Sequence, residues 1–174
     1  LPILTPAQYN GEIVLAPFYQ IIDQAGLDVQ LTRGSWLWKL EAINLDGNYV
    51  KYKQATGGFE YTFYGIANSA ADLGLVVEYL YDSRGELATT AFEDDFLTGL
   101  RLTLNDEQST DALLGVIKDT DDDSYLISLE ANRRIGDSWK LSIQASKFLV
   151  DGLDQSLKSF AEDDFLQVEL GYYF

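Results

Sequence analysis

At 174 residues the chain has the length of one domain. Its 28 acidic residues against 12 basic ones give a net charge of −16, which argues against nucleic acid as a partner, since phosphate binding needs clustered Lys and Arg. There is no Cys and no His, so disulfides, thiolate and imidazole metal sites, Cys nucleophiles and Ser-His-Asp triads are excluded together.

The chain starts at Leu1 without Met or a signal-peptide pattern, as a processed mature chain or a fragment does. Residues 1–10 carry Pro2 and Pro6 and no clear period, and read as an extended lead-in to a single domain spanning 1–174. Residues 12–22 are apolar on both faces and interrupted by Pro17, which confines a strand to an edge. A short helix over 19–24 competes with a strand there. From residue 27 the pattern is regular. Leu27, Val29 and Leu31 alternate with Asp28, Gln30 and Thr32, and Gly34-Ser35 makes a tight turn. Residues 36–44 set Trp36, Trp38, Leu40 and Ala42 against Leu37, Lys39, Glu41 and Ile43. Asp46-Gly47-Asn48 opens a longer connection to a strand over 56–66. Further strands are predicted over 72–82, 95–104, 124–134 and 138–148, and residues 111–118 are ambiguous because Leu113/Ile117 and Leu114/Val116 take opposite faces.

The last strand alternates Leu166, Val168, Leu170, Tyr172 and Phe174 with Phe165, Gln167, Glu169, Gly171 and Tyr173. It resembles the closing strand of bacterial outer-membrane β-barrels, in which a terminal Phe after alternating apolar residues serves as the assembly signal. That resemblance implies an outer-membrane location, with lipid, lipopolysaccharide and the barrel assembly machinery as partners. An amphipathic edge strand of a soluble β-protein gives the same alternation.

No stretch keeps a 3.6-residue period long enough for a crossover helix, so neighbouring strands pair antiparallel. The expected fold is all-β: an antiparallel up-and-down transmembrane barrel with about ten strands, or the C-terminal part of a larger one. Short connections near 34–35, 67–71, 105–109 and 135–137 alternate with longer ones near 46–55, 83–94, 119–123 and 149–163, as in outer-membrane barrels. Aromatic residues make up 13% of the chain. Many lie near strand ends on the apolar face: Trp36, Trp38, Tyr79, Tyr81, Tyr125, Trp139, Tyr172 and Phe174 are expected to form interfacial girdles. The opposite face carries Lys39, Glu41, Glu60, Glu78, Arg101, Glu130, Lys140, Gln144, Gln167 and Glu169, expected to line the lumen. These charges form either an ion-paired plug or an aqueous path whose excess of Glu favours cations.

Asp119, Asp121 and Asp123 are a weak candidate for a hard-cation site. The EF-hand Gly and terminal Glu are missing, and a solvated acidic loop is the plainer reading. Glu60 and Glu78 could mimic a carboxylate dyad, but luminal ion pairing explains them better, and no base is available to make the chain an enzyme. No cofactor is expected. The function these readings favour is a passive channel for small solutes or ions. A plugged structural or surface-exposed barrel and a secreted soluble barrel binding an apolar ligand are the alternatives.

Overall fold

Two-residue alternation becomes extended strand almost throughout. The computed structural model describes residues 3–10, 12–19, 21–90, 92–121, 123–150, 158 and 160–174. Its strands are β1 (Ile3–Tyr9), β2 (Glu12–Phe18), β3 (Ile22–Arg33), β4 (Trp36–Gly47), β5 (Lys51–Phe63), β6 (Asp72–Asp82), β7 (Asp94–Thr103), β8 (Asp111–Asp119), β9 (Tyr125–Ile135), β10 (Trp139–Leu149) and β11 (Phe165–Tyr172). Strands β3 to β11 form one nine-stranded antiparallel sheet in which each strand pairs with its sequence neighbours. β1 and β2 form a separate hairpin.

The sheet is not closed. β3 and β11 are its edges, so the expected ring of about ten strands is here an open sheet of nine beside a hairpin. β2 is the strand that could have joined β3, and its sequence explains why it does not. It lacks alternation, and Pro17 has no N–H to give to a second ladder. Of the competing helix over 19–24, Ile22, Asp23 and Gln24 belong to β3, and residue 20 lies outside the described residues.

β4 and β5 also run further than their apolar alternation. Asn44 pairs with Lys53 and Asp46 with Lys51 in the ladder, and the Lys51 ammonium lies 2.8 Å from Asp46. The expected connection over 46–55 therefore shrinks to residues 48–50. At that end, here the loop end, the other connections are 83–93, 120–124 and 150–164. At the turn end they are 34–35, 64–71, 104–110 and 136–138. The difference in length between the ends is smaller than the sequence suggests, and composition separates them better, since acidic residues crowd the loop end.

The registers sort the side chains into two faces. One face carries Leu27, Val29 and Leu31 of β3, which oppose Ala42, Leu40 and Trp38 of β4. The same face runs through Phe59 and Tyr61, Leu75 and Val77, Leu100, Leu114, Leu129 and Ile143 to Val168 and Leu170 of β11. Charged side chains on this face, among the described residues, stand only towards strand ends: Arg33 and Arg133 at the turn end, and Asp23, Asp46, Lys51, Lys53, Asp94, Lys118 and Lys147 at the loop end.

On the central strands the apolar face is the more exposed one, while β3 and β11 are exposed on both faces. Leu27, Leu31, Leu100, Leu114, Leu166 and Val168 are all exposed on the apolar face. Glycines aside, the buried residues among those described are mostly polar: Glu60, Asp82, Glu93, Asp95, Asp119 and Ser124, against Leu45, Ala71 and Val76. Carboxylates are almost never buried unless partnered. A flat sheet would expose both faces alike, whereas a sheet curled towards its polar side crowds that side and spreads the other.

Candidate functional site

The polar face is built by alternation on nine strands, and it collects every side chain the sequence assigns to a lumen. Lys39 and Glu41 of β4, Glu60 of β5, Glu78 of β6, Arg101 of β7, Glu130 of β9, Lys140 and Gln144 of β10, and Gln167 and Glu169 of β11 share this face. The aromatic residues assigned to girdles take the other face. Near the turn end Trp36 stacks on Trp38 with ring centroids 5.3 Å apart and meets Tyr61 edge-on at 4.7 Å, while Trp139 and Tyr172 lie 4.8 Å apart. Phe174 stacks on Tyr172 at 6.4 Å. Near the loop end Tyr79 packs on Phe96 at 4.9 Å, Tyr81 is cross-strand from Asp94, and the Lys118 ammonium sits over the Tyr125 ring at 4.8 Å. The rings thus form two bands with aliphatic residues between them.

Ion pairs on the polar face skip a strand. Lys39 of β4 reaches Glu78 of β6 at 3.3 Å, passing over Gly58 of β5, which is cross-strand from both. Glu60 of β5 reaches Arg101 of β7 at 3.5 Å, passing over Gly74 of β6, the cross-strand partner of Arg101. Gly58 is required by the close approach of backbone, whereas at Gly74 only the movable Glu60 carboxylate comes close. A Cβ at Gly58 would stand 2.1 Å from the Val77 carbonyl oxygen and 2.7 Å from Glu78 Cα, and one at Gly74 would stand 2.8 Å from Glu60 Oε1. Glu60 and Glu78 form no dyad: as the ion-paired reading expected, each carboxylate takes its own cation. The Glu60 side chain is only 11% exposed, so its charge needs Arg101 to offset lost hydration.

Two neighbouring features were not visible in the alternation. On β7 to β10 a row of apolar side chains, Leu97, Ile117, Leu126 and Phe148, crosses the polar face, and Phe160 stacks on Phe148 at 5.9 Å. This row settles β8, the strand with ambiguous sides: Ile117 joins it, and Leu113 is cross-strand from Arg101 and Glu130. At the loop end Asp82, almost fully buried, accepts bonds from Arg84 Nε at 2.9 Å and Gln54 Nε2 at 2.7 Å, and the Arg84 guanidinium lies 3.9 Å over the Tyr52 ring.

The weak metal candidate is dispersed. Asp119 accepts the backbone N–H of Asp121 at 2.7 Å, and Asp123 lies 3.6 Å from Lys118. Among the described residues no three carboxylates are arranged to hold an ion.

The flanking strands differ. Glu130, Asn132, Ser142, Gln144, Gln167 and Glu169 line a cavity of about 270 Å³ on the polar face of β9 to β11, with Lys140 at its turn-end side. Among the described residues neither Glu130 nor Glu169 has a salt bridge. Asp28 also belongs to this face, cross-strand from Glu41. Its signal lay in the alternation of β3. Scans against protein-family models, curated proteins and solved structures find no match to the chain.

Proposed function

We propose that the chain forms the wall of an outer-membrane β-barrel acting as a passive channel for small solutes or ions. One observation carries this reading: an exposed apolar face, uncharged except towards the strand ends, backed by a polar face on which Glu60 and Asp82 are buried and paired with Arg101 and Arg84. Lipid is the occupant that fits such a band. Its aromatic rings near both ends suit the two membrane interfaces, and most strands from β3 to β11 meet or exceed the 9–11 residues a tilted span needs. In this reading Phe174 lies at the periplasmic edge, the loop end meets lipopolysaccharide, and the C-terminal strand engages the assembly machinery.

Insertion requires the edges of β3 and β11 to be covered, because an unpaired backbone group in hydrocarbon costs several kcal/mol. A strand running opposite to both would serve. A strand from another chain could supply it, whereas Pro17 and the lack of alternation bar β2 from two full ladders. The test is purification followed by reconstitution into planar bilayers. The chain should need detergent to stay in solution and should give stepwise conductance; free solubility as a monomer would overturn the membrane reading.

A second reading, a barrel that conducts nothing, draws on the ion pairs over Gly58 and Gly74 and the apolar row ending in Phe148 and Phe160. Absence of conductance in a membrane-inserted chain would favour it. A soluble barrel with an apolar ligand inside requires the apolar face to be the sheltered one, and it is the exposed one.

A further inference from the structure

We infer that the path through this barrel prefers cations, and that the preference is set by carboxylates on the flanking strands rather than by those at the centre of the sheet. The inference rests on the channel reading. In the middle of the central strands the charges cancel locally, with Lys39 on Glu78 and Arg101 on Glu60, while the remaining carboxylates of that face stand at the strand ends, Asp82, Asp95 and Asp119 at the loop end and Asp72 and Asp111 at the turn end. Each pair presents little net field to a passing ion. On the flanks they do not cancel. Asp28 and Glu41 stand cross-strand from one another on β3 and β4, and neither has a salt bridge among the described residues. Glu130 and Glu169 stand over the cavity of β9 to β11 among side-chain amides and hydroxyls, which can replace part of a cation's hydration shell.

β3 and β11 are the two edges of the sheet. Closing it, directly or through one further strand, brings these two acidic flanks to the same side of the interior. The paired centre forms the opposite side. Water and ions then have a wide, polar, negatively charged route along the seam. The opposing cations, Arg134 and Lys140, are cross-strand partners near the turn end, and of the two only Lys140 borders the cavity, at its turn-end side. Carboxylates lining a pore attract cations and repel anions over the ~10 Å screening distance at 0.1 M salt.

The experiment is the reversal potential of the reconstituted chain in planar bilayers under a potassium chloride gradient. The expected result is a potassium-to-chloride permeability ratio above one. Glu130→Gln with Glu169→Gln should lower the ratio by roughly threefold or more, as should Asp28→Asn with Glu41→Gln on the other flank. Lys39→Gln with Glu78→Gln, which removes a neutral pair, should leave the ratio where it was. Conductance with no cation preference, or with a preference that moves with the central pair and not with the flanks, overturns the inference and leaves the channel standing. No conductance from chain shown to be inserted overturns the channel reading and the inference together. Two independent flank variants keep the test decisive should one fail to fold.

Discussion

The centre of the sheet and its flanks are written in the same alternating code yet are built differently. From β5 to β8 each strand places a glycine on the polar face: Gly58, Gly74, Gly99 and Gly115. Side chains from neighbouring strands close over these positions, and the ion pairs cross Gly58 and Gly74. On β3 the polar face also holds a glycine, Gly26, but no side chain closes over it. In β9 and β10 the row that contains Gly115 continues as Ser128 and Ser146. The polar side chains of β9 to β11 stand over a cavity instead. The same hydrophobic pattern can therefore give a packed wall or a hydrated one, depending on how closely neighbouring side chains cross the small residues of the polar face.

The largest effect should come from filling one of the central positions. Gly58→Ala drives a methyl into the Val77 carbonyl and the Glu78 backbone. It should cost at least about 3 kcal/mol, the upper range for overpacking, read as a shift in urea unfolding in detergent or as failure to fold. Gly26→Ala on β3, whose nearest neighbour would be the Ala42 carbonyl oxygen at 3.8 Å, should stay within about 0.5 kcal/mol of the parent. Equal effects at both positions would erase the distinction between centre and flank.

Next in size is a test of what the two regions share. Leu114→Arg at the centre and Val168→Arg at the flank both put a charge in the middle of the apolar band. Each should cost about 2–4 kcal/mol in a bilayer and block insertion into vesicles. On a face bathed in water the same changes would be almost silent, since both residues are already exposed.

Smaller again is the loss of a central ion pair. Arg101→Ala strands the nearly buried Glu60 carboxylate. The cost lies between that of an exposed pair, near zero, and a fully buried one, and should be about 1–3 kcal/mol because Arg101 is half exposed. Glu130→Gln on the flank should be neutral to stability within about 0.5 kcal/mol, and a double-mutant cycle of Glu60 with Arg101 should show coupling.

The smallest effect concerns the connections, where two carboxylates sit below the ordinary range. The Thr110 backbone N–H and hydroxyl hold Asp106 down. The Lys147 ammonium and the Phe148 backbone N–H do the same for Asp164. A depressed carboxylate adds stability that is complete above its unfolded pKa, about 3.9 for Asp, and is lost as pH falls through the folded value. Acidification from pH 5 to pH 2 should therefore weaken the parent more than a variant carrying Asp106→Asn and Asp164→Asn, seen as converging unfolding midpoints.

Which face each residue takes is legible in the amino-acid sequence, because a period of two allows only one answer once a strand is placed. Lys39, Glu60 and Glu169 share a face for that reason alone. Which charges meet is not legible there. The partners of Glu60 and Glu78 lie two strands away, across glycines whose importance depends on how far the sheet bends. β8 is ambiguous in sequence because Ile117 and Leu113 are apolar residues on the polar side, and only their neighbours on β7 and β9 explain them. The connection after β4 reads as too long because Asp46, Asn48 and Lys51 look like a loop. They are in part strand carried beyond the apolar band, where polar side chains are at home on either face.

The strand order has a consequence for how the chain assembles. Every pairing in the nine-stranded sheet joins neighbours in sequence through a connection of modest length. Hairpins can therefore add one at a time from either end, with no distant partner to wait for. Joining the edges would be the exception, since β3 and β11 are separated by residues 34–164. In the unfolded chain, bringing them together would cost about 3 kcal/mol more entropy than closing a five-residue turn, so such a seam waits for the sheet between them. Sheet growth should be fast and sequential, and the final seam should be the slow step. In the open sheet the outer edge of β3, twelve residues long, is a template for any strand that arrives.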